Sequence, residues 1–171
     1  MKLFHGTNLS IDKIDLSKCR PHKDFGLGFY TTELEEQAIK MAKRVARIYG
    51  GKPVVNVYEF DEAVLQSNEY SVRIFDAHPG EEWAKFVMNN RSLSFEDFAD
   101  LNCNLDGKYD IVYGPIANDD MAVLFRQYEN QMISLEMLVS GMTYKTLTNQ
   151  CSFHTAKACE LLIKTGENCY E

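Results

Sequence analysis

Apolar residues along the chain fall into short runs that indicate β-strands. The clearest run is residues 53–60, where apolar and polar side chains alternate as they do along a strand. The other runs are rich in aromatic or β-branched residues and are bounded by glycine, proline or polar positions. The strands predicted in this way cover residues 2–6, 29–32, 53–60, 71–75, 109–116 and 149–154.

A second pattern, with apolar residues three or four positions apart, predicts helices. It is most regular over residues 33–49, where Thr32 and Glu35 also have the spacing of a capping box. Shorter stretches of the same kind predict further helices at residues 80–89, 94–101, 119–125, 128–138 and 156–164. The longest helix is therefore expected between the second and third strands.

Strands and helices do not alternate regularly, which favours an α+β fold over a βαβ arrangement. With 171 residues and no repeat or internal linker, the chain has the length of a single domain, which we take to span residues 1–171. The residues after Lys164 show no pattern, so we expect a frayed C-terminal tail.

The composition is that of a globular protein with a net negative charge. Hydrophobic residues make up 45% of the chain, and 18 Lys and Arg against 25 Asp and Glu give a net charge of −7. Such a chain repels nucleic-acid phosphates unless it gathers a local basic patch, so a general nucleic-acid binder is disfavoured. One basic cluster has helical spacing, which favours a solvated helix face but would also allow it to guide an anionic ligand: Lys40, Lys43, Arg44 and Arg47.

Cysteines and apolar runs argue against disulfide, metal and membrane roles. The five cysteines are odd in number and include no C-x-x-C pair, which favours reduced thiols over a disulfide framework or a zinc site. The chain has no run of 18 apolar residues, and its first residues lack the apolar core of a signal peptide. We therefore expect no metal site, a cytoplasmic location and no membrane association.

A short motif at the end of the first predicted strand has the residue types of a ligand site. His5 offers a ring nitrogen, Gly6 lets a ligand approach the backbone, and Thr7 offers a hydroxyl. Free backbone N–H and C=O groups at such a strand end suit a planar amide. A histidine that caps a strand beside an ordinary turn would give the same pattern.

A second motif occupies residues 24–32 and combines glycines with aromatic residues. Gly26 and Gly28 permit a tight loop, while Phe25 and Tyr30 supply ring faces on which an aromatic ligand could stack. Phe29, in contrast, fits the core side of the strand.

The two motifs together resemble the NAD site of the diphtheria-toxin and poly(ADP-ribose)-polymerase class of ADP-ribosyltransferases. The chain is also similar, over most of its length, to an uncharacterised bacterial family assigned to that superfamily. The resemblance implies an α+β fold of two short packed β-sheets with peripheral helices and an NAD cleft between the sheets.

The resemblance also implies roles for single residues. His5 would bind the adenosine ribose, the backbone of Gly6 would bind the nicotinamide amide, and Tyr30 would stack on the nicotinamide ring. A second aromatic residue often closes this stack in the superfamily, and this chain has Met41 near that place. The residues expected to bind NAD are then His5, Gly6, Thr7, Phe25, Gly28, Tyr30 and Met41.

The third motif of the superfamily is a glutamate at the start of a late strand, which binds the ribose 2′-OH and stabilises the cationic transition state. This chain has Gln150 in that place, so the expected catalytic residues are Gln150, Tyr30 and His5. An amide oxygen still accepts the hydroxyl hydrogen bond but carries no negative charge, which predicts weaker chemistry and single transfer instead of chain elongation. Restoring the acid with Gln150→Glu is expected to raise NAD cleavage.

The function predicted from these residues is NAD-dependent mono-ADP-ribosylation with NAD as co-substrate and no metal. The acceptor is open, with a protein favoured, and an NAD-consuming enzyme in a bacterial cytosol would need a cognate neutralising partner or serve in conflict or signalling. The alternative is a module that binds NAD or ADP-ribose without turnover. A protein-interaction domain with an empty cleft is disfavoured, because such a cleft needs no glycine-lined, aromatic-walled pocket.

Other catalytic arrangements receive less support from the sequence. Cys151 and His154 resemble a thiol–imidazole pair, but residues three apart in a strand face opposite sides of the sheet. Glu129, Glu136 and Glu160 lie on predicted helices, where a solvent-facing charge is the ordinary role.

Overall fold

A computed structural model describes residues 1–143 and 147–171, and its elements confirm the α+β fold. The strands are β1 (Lys2–Thr7), β2 (Phe29–Thr32), β3 (Val54–Glu59), β4 (Val72–Ile74), β5 (Ile111–Pro115), β6 (Asn149–Phe153) and β7 (Ile163–Cys169). The helices are α1 (Glu35–Tyr49), α2 (Glu81–Arg91), α3 (Asp119–Glu129), α4 (Leu135–Thr143) and α5 (Ala156–Cys159), with 3-10 turns at Leu16–Lys18 and Glu62–Gln66.

The described strands form one mixed sheet in the order β4-β5-β6-β2-β1-β3-β7, in which only β4 and β5 are parallel. The prediction of two packed sheets is therefore wrong. The physical reason is a narrow junction: β1 and β2 pair at one position, Phe4 with Thr32, whereas β1 and β3 pair along their whole length. This single bridge joins two halves, β4-β5-β6-β2 and β1-β3-β7, into one continuous sheet.

Side-chain alternation gives the sheet two apolar faces. On one face, Leu3, Phe29 and Phe153 pack against α5 and the loop of residues 11–19. The other face carries α1 over β1 and β3, with α2, α3 and α4 over the opposite half of the sheet. A core on both sides explains why the strands read as apolar runs.

Helix α1 has nearly the predicted limits and lies close to the sheet because small residues face it. Ala38, Ala42 and Ala46 are buried, while the four cations of the basic cluster are exposed. The predicted capping box does not form. Thr32 instead accepts a hydrogen bond from the Leu34 N–H (3.2 Å) and donates to Gln37 Oε1 (3.0 Å), and the helix begins two residues later than a Thr32 cap would require.

Three predicted elements are wrong. The helix predicted over residues 128–138 is interrupted by a turn after Glu129, and α4 covers Leu135–Thr143 instead. Residues 94–101 form bends and turns, since Phe98 and Leu101 remain 47% and 68% exposed and no apolar face is buried to stabilise a helix. The last helix ends at Cys159, and the residues expected to fray form β7, which pairs with β3 from Val54 to Glu59. Backbone pairing with an otherwise open edge orders this tail.

Candidate functional site

The first, second and sixth strands are neighbours in the sheet and bring three predicted site residues together. His5 lies on β1, Tyr30 on β2 and Gln150 on β6. Beyond the Phe4–Thr32 pair the ladder between β1 and β2 does not continue in the described structure. We call the space between His5–Thr7 and Phe29–Tyr30 the strand gap.

His5 bridges the strand gap with its side chain. Its Nδ1 donates a hydrogen bond to the Tyr30 carbonyl oxygen (2.7 Å), and its ring stacks on Phe29 at a centroid distance of 4.2 Å. Burial lowers the pKa of His5, so the imidazole is neutral at pH 7. Because the carbonyl oxygen can only accept, Nδ1 carries the hydrogen and Nε2 is an acceptor. A ligand hydroxyl is the kind of group that Nε2 would bind.

Tyr30 is half-buried, and its hydroxyl holds the loop that precedes its own strand. The hydroxyl donates to the Gly26 carbonyl oxygen (2.6 Å) and accepts from the Phe25 N–H (3.0 Å). Burial raises the pKa of Tyr30 well above its usual value, so the phenol stays neutral. The edge of the ring meets His154 at a centroid distance of 6.0 Å. Tyr30 is thus fixed in orientation by its own loop.

His154 is a site neighbour to which the sequence assigned no role. Its Nδ1 donates to the Leu27 carbonyl oxygen (2.8 Å), and its Nε2 lies 2.8 Å from Ser152 Oγ. Burial lowers the pKa of His154 to about 4, so the ring is neutral and its Nε2 is an acceptor. The Ser152 hydroxyl lies between this nitrogen and the Val112 carbonyl oxygen, which is 3.1 Å from Oγ. Cys151 packs in the core on the other face, and burial raises its thiol pKa. Cys151 and His154 therefore form no catalytic pair.

Packing against neighbouring residues requires glycine at positions 6 and 28. A Cβ on Gly6 would lie 1.9 Å from the Ala38 carbonyl oxygen of α1, and a Cβ on Gly28 would lie 2.5 Å from His154 Nδ1. Each position therefore excludes a side chain whether or not a ligand binds. The glycines cannot by themselves discriminate a ligand cleft from an empty one.

Gln150 is buried beside a carboxylate that sequence reasoning missed. Its Nε2 donates to Asp24 Oδ2 (3.1 Å), which also accepts from the Ala117 N–H (3.0 Å). The other oxygen, Oδ1, accepts from Arg91 Nε (2.9 Å) and Nη2 (2.6 Å). Asp24 opens the second motif, but nothing in the local pattern indicates that it contacts Gln150, 126 positions away.

Alternation divides these residues between the two faces of the sheet. Tyr30 and Gln150 share the face that α1 to α4 cover, because Tyr30 is paired with Ser152, which lies two positions after Gln150 on the same side of β6. His5 lies with Phe29 on the opposite face and reaches Tyr30 through the backbone carbonyl. A ligand that contacts all three residues would therefore cross the strand gap.

Phe25, Thr7 and Met41 are the remaining predicted residues. Phe25 is fully buried against Phe75 and Phe86, so its ring offers no surface to a ligand. Thr7 ends β1 and contacts Asn8 at 3.4 Å. Met41 is 47% exposed on α1.

Cavities and metal-binding groups add nothing at this place. Surface cavities of about 520 and 750 Å³ lie at the α3–α4 turn and between α2 and α3, and neither is lined by His5, Tyr30 or Gln150. Across residues 1–143 and 147–171 no three His, Cys, Asp or Glu side chains are grouped as metal ligands. Within the same ranges, each helix is too short or too polar to cross a membrane.

Comparison with known proteins identifies the family but no activity. A family described as "Protein of unknown function (DUF3990)" matches residues 1–163, and the chain belongs to that family. Neither the curated proteins nor the solved structures contain a match.

Proposed function

We propose that this member of the DUF3990 family is an NAD-dependent mono-ADP-ribosyltransferase. The observation that supports it is the convergence of His5, Tyr30 and Gln150, which come from three distant parts of the sequence, on the adjacent strands β1, β2 and β6. The order of these residues is also the order of the three superfamily motifs that the sequence resembles.

The proposed reaction is a displacement at C1′ of the nicotinamide ribose. The bond from C1′ to the nicotinamide nitrogen breaks, and its electron pair leaves with the ring and neutralises the pyridinium. A nucleophilic oxygen, nitrogen or sulfur of the acceptor forms the new bond to C1′ and releases its proton to water. No oxidant or metal takes part in this balance.

Each residue at the strand gap has a group suited to part of NAD. The Nε2 of His5 would accept from an adenosine ribose hydroxyl, and the half-buried ring of Tyr30 would stack on nicotinamide. Gly6 would offer its backbone to the carboxamide, since the described ladder does not pair it with β2. The Oε1 of Gln150 would accept from the 2′-OH of the nicotinamide ribose.

The charges at the site favour transfer of a single ADP-ribose unit. Chain elongation needs a base that activates an acceptor hydroxyl, and Gln150 is neutral. The nearest carboxylate, Asp24, already accepts four hydrogen bonds from Arg91, Ala117 and Gln150. The favoured acceptor is a protein side chain, and a cognate neutralising partner for the enzyme is part of the proposal.

The same observation supports a second candidate, a module that binds NAD or ADP-ribose without turnover. A neutral Gln150 and a fully engaged Asp24 leave no free carboxylate among the described site residues to stabilise the developing cation. Binding by His5 and Tyr30 does not depend on that charge.

Release of nicotinamide from NAD by the purified protein tests the two candidates. NAD labelled in its adenosine half is incubated with the protein, alone and with bacterial lysate, and the label is followed. Nicotinamide release with label on a macromolecule is expected for the transferase, and release of free ADP-ribose would replace it with a hydrolase. NAD binding without release would favour the binding module, whereas neither binding nor release would contradict both.

A further inference from the structure

We propose that Asp24 is a positioning residue that fixes the amide of Gln150, so that Oε1 of Gln150 accepts the hydrogen bond from the ribose hydroxyl. This inference rests on the proposed function, since it gives Asp24 a part in the reaction at C1′. It also makes a claim about side-chain orientation that holds without NAD. The two claims have separate tests.

The orientation of Gln150 follows from the chemistry of its partner. An ionised carboxylate can only accept hydrogen bonds, so the Gln150 group that faces Asp24 Oδ2 must be the NH₂ group. The carbonyl oxygen Oε1 then points away from Asp24, and no described group donates to it. Asp24 thereby presents an acceptor oxygen at the position where a ribose hydroxyl would bind.

Asp24 can hold Gln150 in place because its own carboxylate cannot turn. Arg91 binds Oδ1 through two nitrogens, and the Ala117 N–H binds Oδ2 beside Gln150. The Asp24 backbone carbonyl accepts a further hydrogen bond from Asn90 Nδ2 (3.3 Å). All these groups lie on α2 or just before α3, so the helical face of the sheet fixes the amide on β6.

The arrangement also explains why a glutamine stands at position 150. A glutamate there would place a second carboxylate about 3 Å from Asp24, where two like charges raise the pKa of one acid until it is protonated. In this chain the carboxylate stands at position 24 and the amide at position 150. If Asp24 orients Gln150, Gln150→Glu alone should not raise NAD cleavage, contrary to the prediction from the sequence.

Exchanging the two groups provides the functional test. In Asp24→Asn, the one remaining side-chain oxygen stays with Arg91, so the new NH₂ group replaces Oδ2. There it leaves the Ala117 N–H without its acceptor, and it turns Gln150 so that the Gln150 NH₂ faces the ribose. We expect kcat for nicotinamide release to fall by at least about tenfold, more than KM changes. Gln150→Glu alone should show no gain. The double variant Asp24→Asn with Gln150→Glu should have a kcat clearly above that of Asp24→Asn, because one oxygen of the new carboxylate accepts from the new amide at position 24 and the other faces the ribose. Both variants lose the hydrogen bond from the Ala117 N–H, so that loss cancels in the comparison.

A control variant separates this effect from a simple change of charge. Asp61→Asn removes one negative charge from an exposed cap at the far end of β3 and should leave kcat unchanged. Thermal unfolding of every variant shows whether it folds. A double variant that folds but is no more active than Asp24→Asn would overturn the inference while the proposed function stands.

Nuclear magnetic resonance of the Gln150 side chain tests the orientation without any substrate. The two proton resonances of its ¹⁵N-labelled NH₂ group are assigned because they disappear from the spectrum of Gln150→Glu. In the wild type we expect these protons to exchange slowly with water. In Asp24→Asn their chemical shifts should change and their exchange should become faster, whereas Asp61→Asn should leave both unchanged. Unchanged resonances in Asp24→Asn would overturn the inference. If the wild type neither binds nor cleaves NAD, the proposed function fails and this spectrum alone decides whether Asp24 orients Gln150.

Discussion

Gly6 and Gly28 lie where another side chain would collide with the protein itself. Their neighbours are the carbonyl oxygen of Ala38 and the ring of His154. Glycine is also the residue that a nucleotide site uses for close approach of a ligand to the backbone. The glycines at these two positions therefore have two possible reasons, ligand binding and packing. Substitution in the absence of a ligand measures how much packing contributes to stability.

Gly6→Ala should lower the free energy of unfolding by about 1–3 kcal/mol, because the new methyl group forces α1 away from β1. The matched control is Gly166→Ala on β7, where an added Cβ meets nothing within 4 Å. Urea unfolding without ligand measures both variants. A Gly6→Ala protein as stable as the Gly166→Ala protein would show that α1 does not lie this close to the sheet.

His154 should make the protein less stable in mild acid. Its pKa is about 4 in the folded protein and 6.5 in an unfolded chain, so between these values the unfolded chain binds a proton that the folded protein does not. The contribution is complete above pH 6.5 and is lost as the pH falls toward 4, by about 3 kcal/mol in all.

The measurement is urea unfolding at several pH values between about 4 and 7, a range that covers the interval between the pKa values of His154 in the folded and unfolded chain. His154→Gln should flatten the dependence, whereas His78→Gln, at an exposed loop position, should leave it as in the wild type. An equal slope in His154→Gln would place the acid sensitivity elsewhere, for example at His5, whose pKa is also lowered.

Among the helices and strands, the sequence predicts best those whose own residues carry a clear hydrophobic pattern. Helices α1 and α2 form near their predicted positions because each carries its own apolar side and acidic first turn. Strand β7 was missed because most of its side chains are exposed and it is held by backbone pairing with β3. Its pattern contains no apolar alternation from which a strand could be predicted.

Removal of residues 163–171 should therefore destabilise the protein and cause self-association. The deletion uncovers the edge of β3 and removes Tyr170, whose hydroxyl donates to Glu35 (2.8 Å) on α1. An open edge next to buried Val55 and Val57 is a template for pairing with another chain. Size-exclusion chromatography and thermal unfolding measure both effects against a chain that lacks only Glu171. A monomer of unchanged stability would contradict the β3–β7 pairing.

For the whole molecule, the α+β class predicted from the sequence is confirmed, but the sequence does not predict how the two halves of the sheet join. The pairing of Phe4 with Thr32 makes the strands one sheet instead of two. The pairing of a single residue pair cannot be predicted from the pattern of apolar residues. Asp24 was missed for a related reason, since its contacts with Arg91 and Gln150 exist only after folding. Long-range contacts of this kind set the geometry of the candidate site.

A ligand in the strand gap touches both halves of the sheet, so NAD should stabilise the molecule as a whole. At a concentration of about one hundred times Kd, binding adds about 2.7 kcal/mol to the free energy of unfolding. Tyr30→Ala should lose most of this gain, because stacking of a base on an aromatic ring contributes about 1–3 kcal/mol. Thermal unfolding with and without NAD measures it, with Tyr49→Ala, exposed on α1, as the control. An equal NAD effect in Tyr30→Ala would reject the site.

The position of β2 in the sheet has a consequence for how the protein is made. Strand β1 can pair with β3 as soon as residue 59 has left the ribosome, whereas β2 waits for its main partner until residue 153 has been synthesised. A nascent chain therefore folds one half of the sheet early and completes the strand gap late. A chain interrupted before β6 lacks Gln150 and the main partner of β2, so we expect it to have no activity.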